Sequence, residues 1–205
     1  MKNNQILALI ENYIYQRFNT DTTGHDYYHM RRVAKMANYL AIQEQIDPFL
    51  CEIAGWVHDI GDDKLTTNPK LAIADLSDFL STKCLIHKEQ IKLIVEAIDT
   101  VSFRKGKSPT TDIGAVVQDA DRLDAIGAIG IARAFAYGGS ENQPLFSEDK
   151  QLQQISTIQH FSDKLLHLKD RLNTATGKKI AIDRHLYMEQ FLETFKCEWY
   201  FNSRH

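Results

Sequence analysis

Apolar positions recur at three- and four-residue spacing along almost the whole chain, and no segment alternates as a half-buried strand does, so the sequence predicts an all-α fold. A first helix is expected over residues 3–18. After a loop from Asn19 to Gly24, a second runs from about Asp26 to Gln45 with Val33, Met36, Ala37 and Leu40 turned inward. Asp47 with Pro48 opens a third helix that reaches His58, and Asn68 with Pro69 opens a fourth that ends near Leu80. In both pairs a short polar side chain accepts from free N–H groups, and proline has no N–H to leave unpaired. Ile91, Ile94, Val95 and Ile98 share one face of a fifth helix over 88–99.

A loop over 101–111 follows, rich in Gly, Pro, Ser and cations. The next helix starts at Thr111 or Asp112 and continues through Leu123. A closely packed helix spans Gly127 to Phe135 and ends at Gly138 and Gly139. A second loop covers 140–147, and two long helices, 148–172 and 180–201, complete the chain. The reading is one domain over 1–205, with a core of about 20–135 and a C-terminal helical extension of about 148–201.

Composition changes this picture little. The 205 residues are 43% hydrophobic and 25% charged, ordinary for a globular chain able to bury about 70% of its unfolded surface. The 24 Lys and Arg against 27 Asp and Glu give −3, which offers no general attraction to nucleic acid or an anionic membrane, so a phosphate must be gripped locally. Three dispersed cysteines, Cys51, Cys84 and Cys197, suit neither a disulfide framework nor a thiolate zinc knot. The polar interruptions near the start are unlike a signal peptide, and no apolar run is long enough to span a bilayer. A cytoplasmic protein is expected, with no membrane and no nucleic-acid partner.

The chemistry concentrates at His58 and Asp59, a polar pair at the end of an otherwise apolar helix, where a metal ion gives buried polar groups a reason to exist. Neighbours in a regular helix point about 100° apart. They converge on one ion only at a helix end, and Ile60-Gly61 follows immediately. His29 on the second helix and Asp121 on a later one complete a set of two imidazoles and two carboxylates. Such a set suits a divalent metal with open positions better than an all-oxygen magnesium cage.

These residues, with the stretches Gly24 to Val33, Trp56 to Asp62, Val101 to Gly106 and Gln118 to Arg133, resemble the HD-domain phosphohydrolase superfamily, and within it the bacterial nucleotide pyrophosphohydrolases. The likeness extends to Ala136–Gly139 and His160–Leu166. It implies an HD-type helical bundle with additional C-terminal helices, and His29, His58, Asp59 and Asp121 as metal ligands. Asp119 and Asp124 are rivals for the last position: Asp119 is read mainly as a surface residue, and Asp124 as equally suited to orienting a ligand or capping locally. The cofactor is a divalent ion, with manganese preferred over iron, cobalt, nickel or zinc.

Asp62, with Asp63 as its rival, is the candidate base for an attacking water, and a solvated capping turn is the competing reading of both. Lys64 is a candidate partner for a phosphoryl oxygen. His25, Arg32, Arg104, Lys105 and Lys107 are candidate substrate contacts, with Arg122 and Arg133 as further cations. His87 is read as a helix-start residue, and His160 as a packed residue or a support for the site. The stripe of Phe191, Leu192, Phe195 and Trp199 reads as core or a homodimer contact. The expected activity is release of pyrophosphate from a nucleoside triphosphate by metal-activated water. A 5′-nucleotidase or other phosphomonoesterase, or a non-catalytic nucleotide-binding module, are the alternatives.

Overall fold

The computed structural model describes residues 1–20, 24–63, 65–101 and 106–201. Its elements are helical, and no strand occurs among the described residues. Contacts divide the chain into two compact units, Met1–Asp121 with Asn173–Thr176, and Arg122–Leu172 with the chain from Gly177 onward.

The first unit is built around α3, Pro48–Val57, which is apolar except for Glu52 and packs against α1, Asn3–Phe18, α2, Tyr27–Glu44, and α5, Lys88–Asp99. Every residue from Leu50 to Asp59 is buried, including Glu52, whose carboxylate accepts from Lys35 at 2.6 Å and Asn38 at 2.9 Å. The sequence punctuation operates as expected: Asp47 accepts from the backbone N–H groups of Phe49 and Leu50, and Asn68 from that of Leu71 at the start of α4, Pro69–Thr82. The inward face of α2 consists of Met30, Val33, Ala34, Ala37, Leu40 and Ala41. Met36 departs from expectation and is only half-buried, because it lies beside the stripe rather than on it.

Helix α3 crosses α2 with almost no side chain between the backbones. A Cβ placed on Gly55 would lie 2.7 Å from the Cα of Ala34, so glycine is what permits this approach. Helix α6, Asp112–Asp124, carries Asp119 and Asp121 in the first unit, and the unit boundary falls just after Asp121.

The second unit contains α7, Gly127–Ser140, α8, Lys150–Gln154, α9, Thr157–Asp163, a 3₁₀ helix, Leu165–Arg171, and most of α10, Ala175–Trp199. Phe135, Phe161, Phe191 and Phe195 form its aromatic cluster, with ring centroids 5.8–6.4 Å apart. Three boundaries differ from the sequence reading. Helix α7 continues through Gly138 and Gly139, the expected 148–172 helix is three short pieces, and α10 begins near 175 rather than 180. The break has a local cause: Ser156 caps α9, its hydroxyl oxygen accepting from the backbone N–H of Gln159 at 3.2 Å.

Candidate metal centre and adjoining cavity

Asp26 caps α2 by accepting from the backbone N–H of His29 at 2.7 Å, which fixes the first turn of that helix and sets His29 inward, fully buried. His58 is the C-cap of α3, and Asp59 follows in the turn, so the adjacent pair can converge as residues inside a regular helix cannot. Gly61 completes the turn with φ +95°, a conformation that favours glycine.

Four side chains meet there. The Nε2 atoms of His29 and His58 are 3.2 Å apart. His29 Nε2 lies 3.6 Å from Asp59 Oδ2 and 3.5 Å from Asp121 Oδ1, and His58 Nε2 lies 3.3 Å from Asp59 Oδ1 and 3.8 Å from Asp121 Oδ1. Ligands bonded at ~2.1 Å to one ion sit about 3.0–3.4 Å from one another in octahedral or tetrahedral arrangement, so these separations fit a shared cation with slight contraction. The chemistry agrees. His58 Nδ1–H donates to the carbonyl of Gly55 at 2.9 Å, which leaves the Nε2 lone pair facing His29 and the two carboxylates. A cation relieves the mutual repulsion of that electron-rich cluster, and the donors present therefore fit a divalent metal.

His25 lies before the first turn of α2 rather than within it, and its Nδ1 is 2.7 Å from Asp59 Oδ2. His25 thus holds a carboxylate oxygen of the cluster. Burial opposes ionisation of Asp59, yet His58, the hydrogen bond from His25, and His29 outweigh it and hold the carboxyl well below the usual range. Two overlapping groups able to hold an ion result, His29 with His58 and Asp121, and His25 with His29 and Asp59.

A cavity of about 350 Å³ opens directly beside His58 and Asp59. One wall is the turn through Ile60, Gly61 and Asp62, the second is α4 through Pro69, Lys70 and Ile73, and the third is α5 through Val95, Ile98 and Asp99. Asp62 lines it, half-buried, whereas Asp63 is exposed outside the lining. The sequence names Pro69, Val95 and Ile98 for their helices alone, and none of the wall residues on α4 and α5 as part of a site. Their only signal was spacing: Val95, Ile98 and Asp99 share one face of α5, and Pro69 and Ile73 are one turn apart.

The remaining candidates separate. Arg32 sits one turn after His29 and is half-exposed. Lys107 forms an exposed ion pair with Asp99. Lys64, Arg104 and Lys105 lie outside the described residues. Asp119 corrects the surface reading: it is fully buried and accepts from the backbone and side-chain amides of Asn173 and from the backbone N–H and hydroxyl of Thr174. Asp124, in the second unit, accepts from Arg133 at 2.7 Å. Arg122, in the same unit, donates to the carbonyl of Arg171. His87 starts α5 as expected, and His160 is exposed on α9 rather than packed.

Comparison with known proteins places this chain in a family. The HD domain matches residues 26–126, a span that includes His29, His58, Asp59 and Asp121. The uncharacterised protein YpgQ of Bacillus subtilis is 40% identical over 176 residues, which cover 84% of this chain and 83% of YpgQ. The crystal structure of YpgQ in complex with ADP superposes with a TM-score of 0.79 at 36% identity, covering 96% of this chain and 97% of that one. An HD-superfamily hydrolase from Bacillus thuringiensis does so with a TM-score of 0.79 at 36% identity, covering 97% and 98%. The chain belongs to the HD-domain superfamily and has the fold of its hydrolases.

Proposed function

We propose that this chain is a metal-dependent phosphohydrolase that releases pyrophosphate from nucleoside triphosphates. The observation that carries the reading is the gathering of His29, His58, Asp59 and Asp121 beside a cavity that also holds Asp62. In the proposal these four hold the ion, with manganese preferred, and His25 orients Asp59. A divalent cation there supplies Lewis-acid polarisation of a phosphoryl oxygen and offsets the charge that develops on it.

The chain's own residues do the rest. Asp62 orients the attacking water and accepts its proton, since its carboxylate lines the cavity while that of Asp63 does not. Arg32, with Lys64, Arg104 and Lys105, meets the phosphate chain, and a triphosphate rewards such cations more than a monophosphate does. The ADP complex of YpgQ supports a nucleotide as ligand.

Hydrolysis in ¹⁸O-labelled water tests the reading. Label in the nucleoside monophosphate, with pyrophosphate unlabelled, is the expected result. Label confined to pyrophosphate moves the attack to the β-phosphorus. Orthophosphate from monophosphates, with triphosphates untouched, replaces the proposal with a nucleotidase, and saturable binding without turnover under any divalent metal replaces it with a binding module.

A further inference from the structure

Resting on that reading, we infer that the three-walled cavity beside the metal centre is the nucleobase subsite, with Ile73 on α4 and Val95 and Ile98 on α5 as the apolar jaws that distinguish a nucleotide from a bare phosphate chain. Apart from the His58–Asp59 wall, the cavity carries two carboxylates, Asp62 and Asp99, against one ammonium, Lys70, and the ion pair with Lys107 neutralises Asp99. With these charges balanced, the space offers a polyphosphate chain no net attraction, and the neutral end of the substrate belongs there.

Surface chemistry points the same way. Ile60, Pro69, Ile73, Val95 and Ile98 are five of the eleven lining residues, and they come from all three walls. A flat apolar group in that space meets aliphatic carbon from both α4 and α5, in keeping with small-molecule sites that are mostly apolar with a few polar groups at fixed places. Asp99 supplies one such group at the end of the α5 wall, where the ion pair with Lys107 holds its carboxylate. That carboxylate can accept from amino or imino N–H groups on a base edge.

Size sets the limit. About 350 Å³ lies at the small end of the ~300–1,000 Å³ range of ligand sites, room for one nucleoside-sized group and not for a polymer. The Ile73 side chain packs against the turn: a Cβ on Gly61 would meet its Cδ1 and Cγ1 at 3.0 Å. Ile73 therefore lines the cavity next to the turn that carries His58 and Asp59.

The test is calorimetric titration, in saturating Mn²⁺, with α,β-methylene-ATP and with methylenediphosphonate, neither of which is cleaved at its bridging carbon. The wild-type chain binds the nucleotide analogue more tightly. Ile73→Phe, which fills the cavity, lowers the ratio of the two affinities by roughly tenfold or more. Ile73→Ala removes apolar contact without adding bulk and lowers the same ratio by about three- to tenfold. A ratio unchanged in the two folded variants overturns the nucleobase assignment and leaves the phosphohydrolase reading standing. A wild-type chain that binds neither compound overturns both.

Discussion

Thr174 donates twice to one oxygen of Asp119, from its backbone N–H at 2.8 Å and from its hydroxyl at 2.7 Å. The other oxygen of Asp119 accepts from the backbone N–H and the side-chain amide of Asn173 at 2.8 and 2.9 Å. All four partners are donors, so only an ionised carboxylate satisfies them. An asparagine at 119 would turn an NH₂ group toward a donor. Asp119→Asn and Asp119→Ala should each lower stability by about 2–4 kcal/mol, measured by urea denaturation, with metal content retained in the fraction that stays folded.

Loss of a donor should empty the metal centre without unfolding it. His58→Ala and Asp59→Ala are expected to remove most bound metal and activity while the helical circular-dichroism signal persists, because the surrounding core is extensive. His25→Ala should be milder, weakening metal affinity by about 10- to 100-fold through the lost hold on Asp59. Elemental analysis of dialysed protein reads both outcomes, and full occupancy in the His58 and Asp59 variants would remove these two residues from the ligand set.

Asp62→Asn should keep its metal and nearly the same substrate affinity yet lose roughly 10²- to 10⁴-fold in turnover. Asp63→Asn should lose far less, since its carboxylate lies outside the cavity lining. Steady-state kinetics of the pair decide the matter, and equal turnover in wild type and Asp62→Asn would take the base role from Asp62.

Acid should act partly through Glu44. Its carboxyl is held below the ordinary value of 4.5 by hydrogen bonds from the side chain and the backbone of Thr176, against the opposing effect of burial. A lowered folded pKa contributes stability that is present above 4.5 and lost as pH falls through the folded value. Glu44→Gln should therefore be less stable than wild type at neutral pH and lose less on acidification, read as the difference in Tm between pH 7 and pH 3.

Thiol labelling should be selective. Burial pushes the Cys51 thiol up to about 12 and the Cys84 thiol up to about 11, and both side chains are fully enclosed. Iodoacetamide at pH 8 should modify the half-exposed Cys197 alone in the native protein, and all three cysteines after denaturation, as mass spectrometry would show.

Local signals carried the sequence reading a long way. Asp47-Pro48 and Asn68-Pro69 announced two helix starts because capping is settled within four residues, and the His58-Asp59 pair stood out because polar side chains ended an apolar helix. Where the decisive partner is remote, the sequence is mute. Asp119 reads as a surface residue from its own helix, and its burial is set by Asn173 and Thr174, more than fifty positions later. Lys70, Ile73 and Asp99 became neighbours of the centre only through the placement of α4 and α5 around one turn. The stretch 148–172 kept enough apolar spacing to pass for one helix, and the Ser156 cap that divides it is a single residue in a long polar run.

The crossing at Gly55 makes the distance between His29 and His58 a property of the backbone. The missing side chain lets α3 lie on Ala34, and the carbonyl of the same glycine orients the His58 ring. Folding itself therefore gathers the imidazoles, and the conformational entropy of assembling them is already spent before an ion arrives. Capture then consists of desolvating the ion and displacing protons, a step with little rearrangement whose speed follows ion dehydration instead of chain motion. A methyl group at position 55 would change that regime without touching a single donor atom: the ring pair would have to be drawn together by the ion, and association would slow as well as weaken.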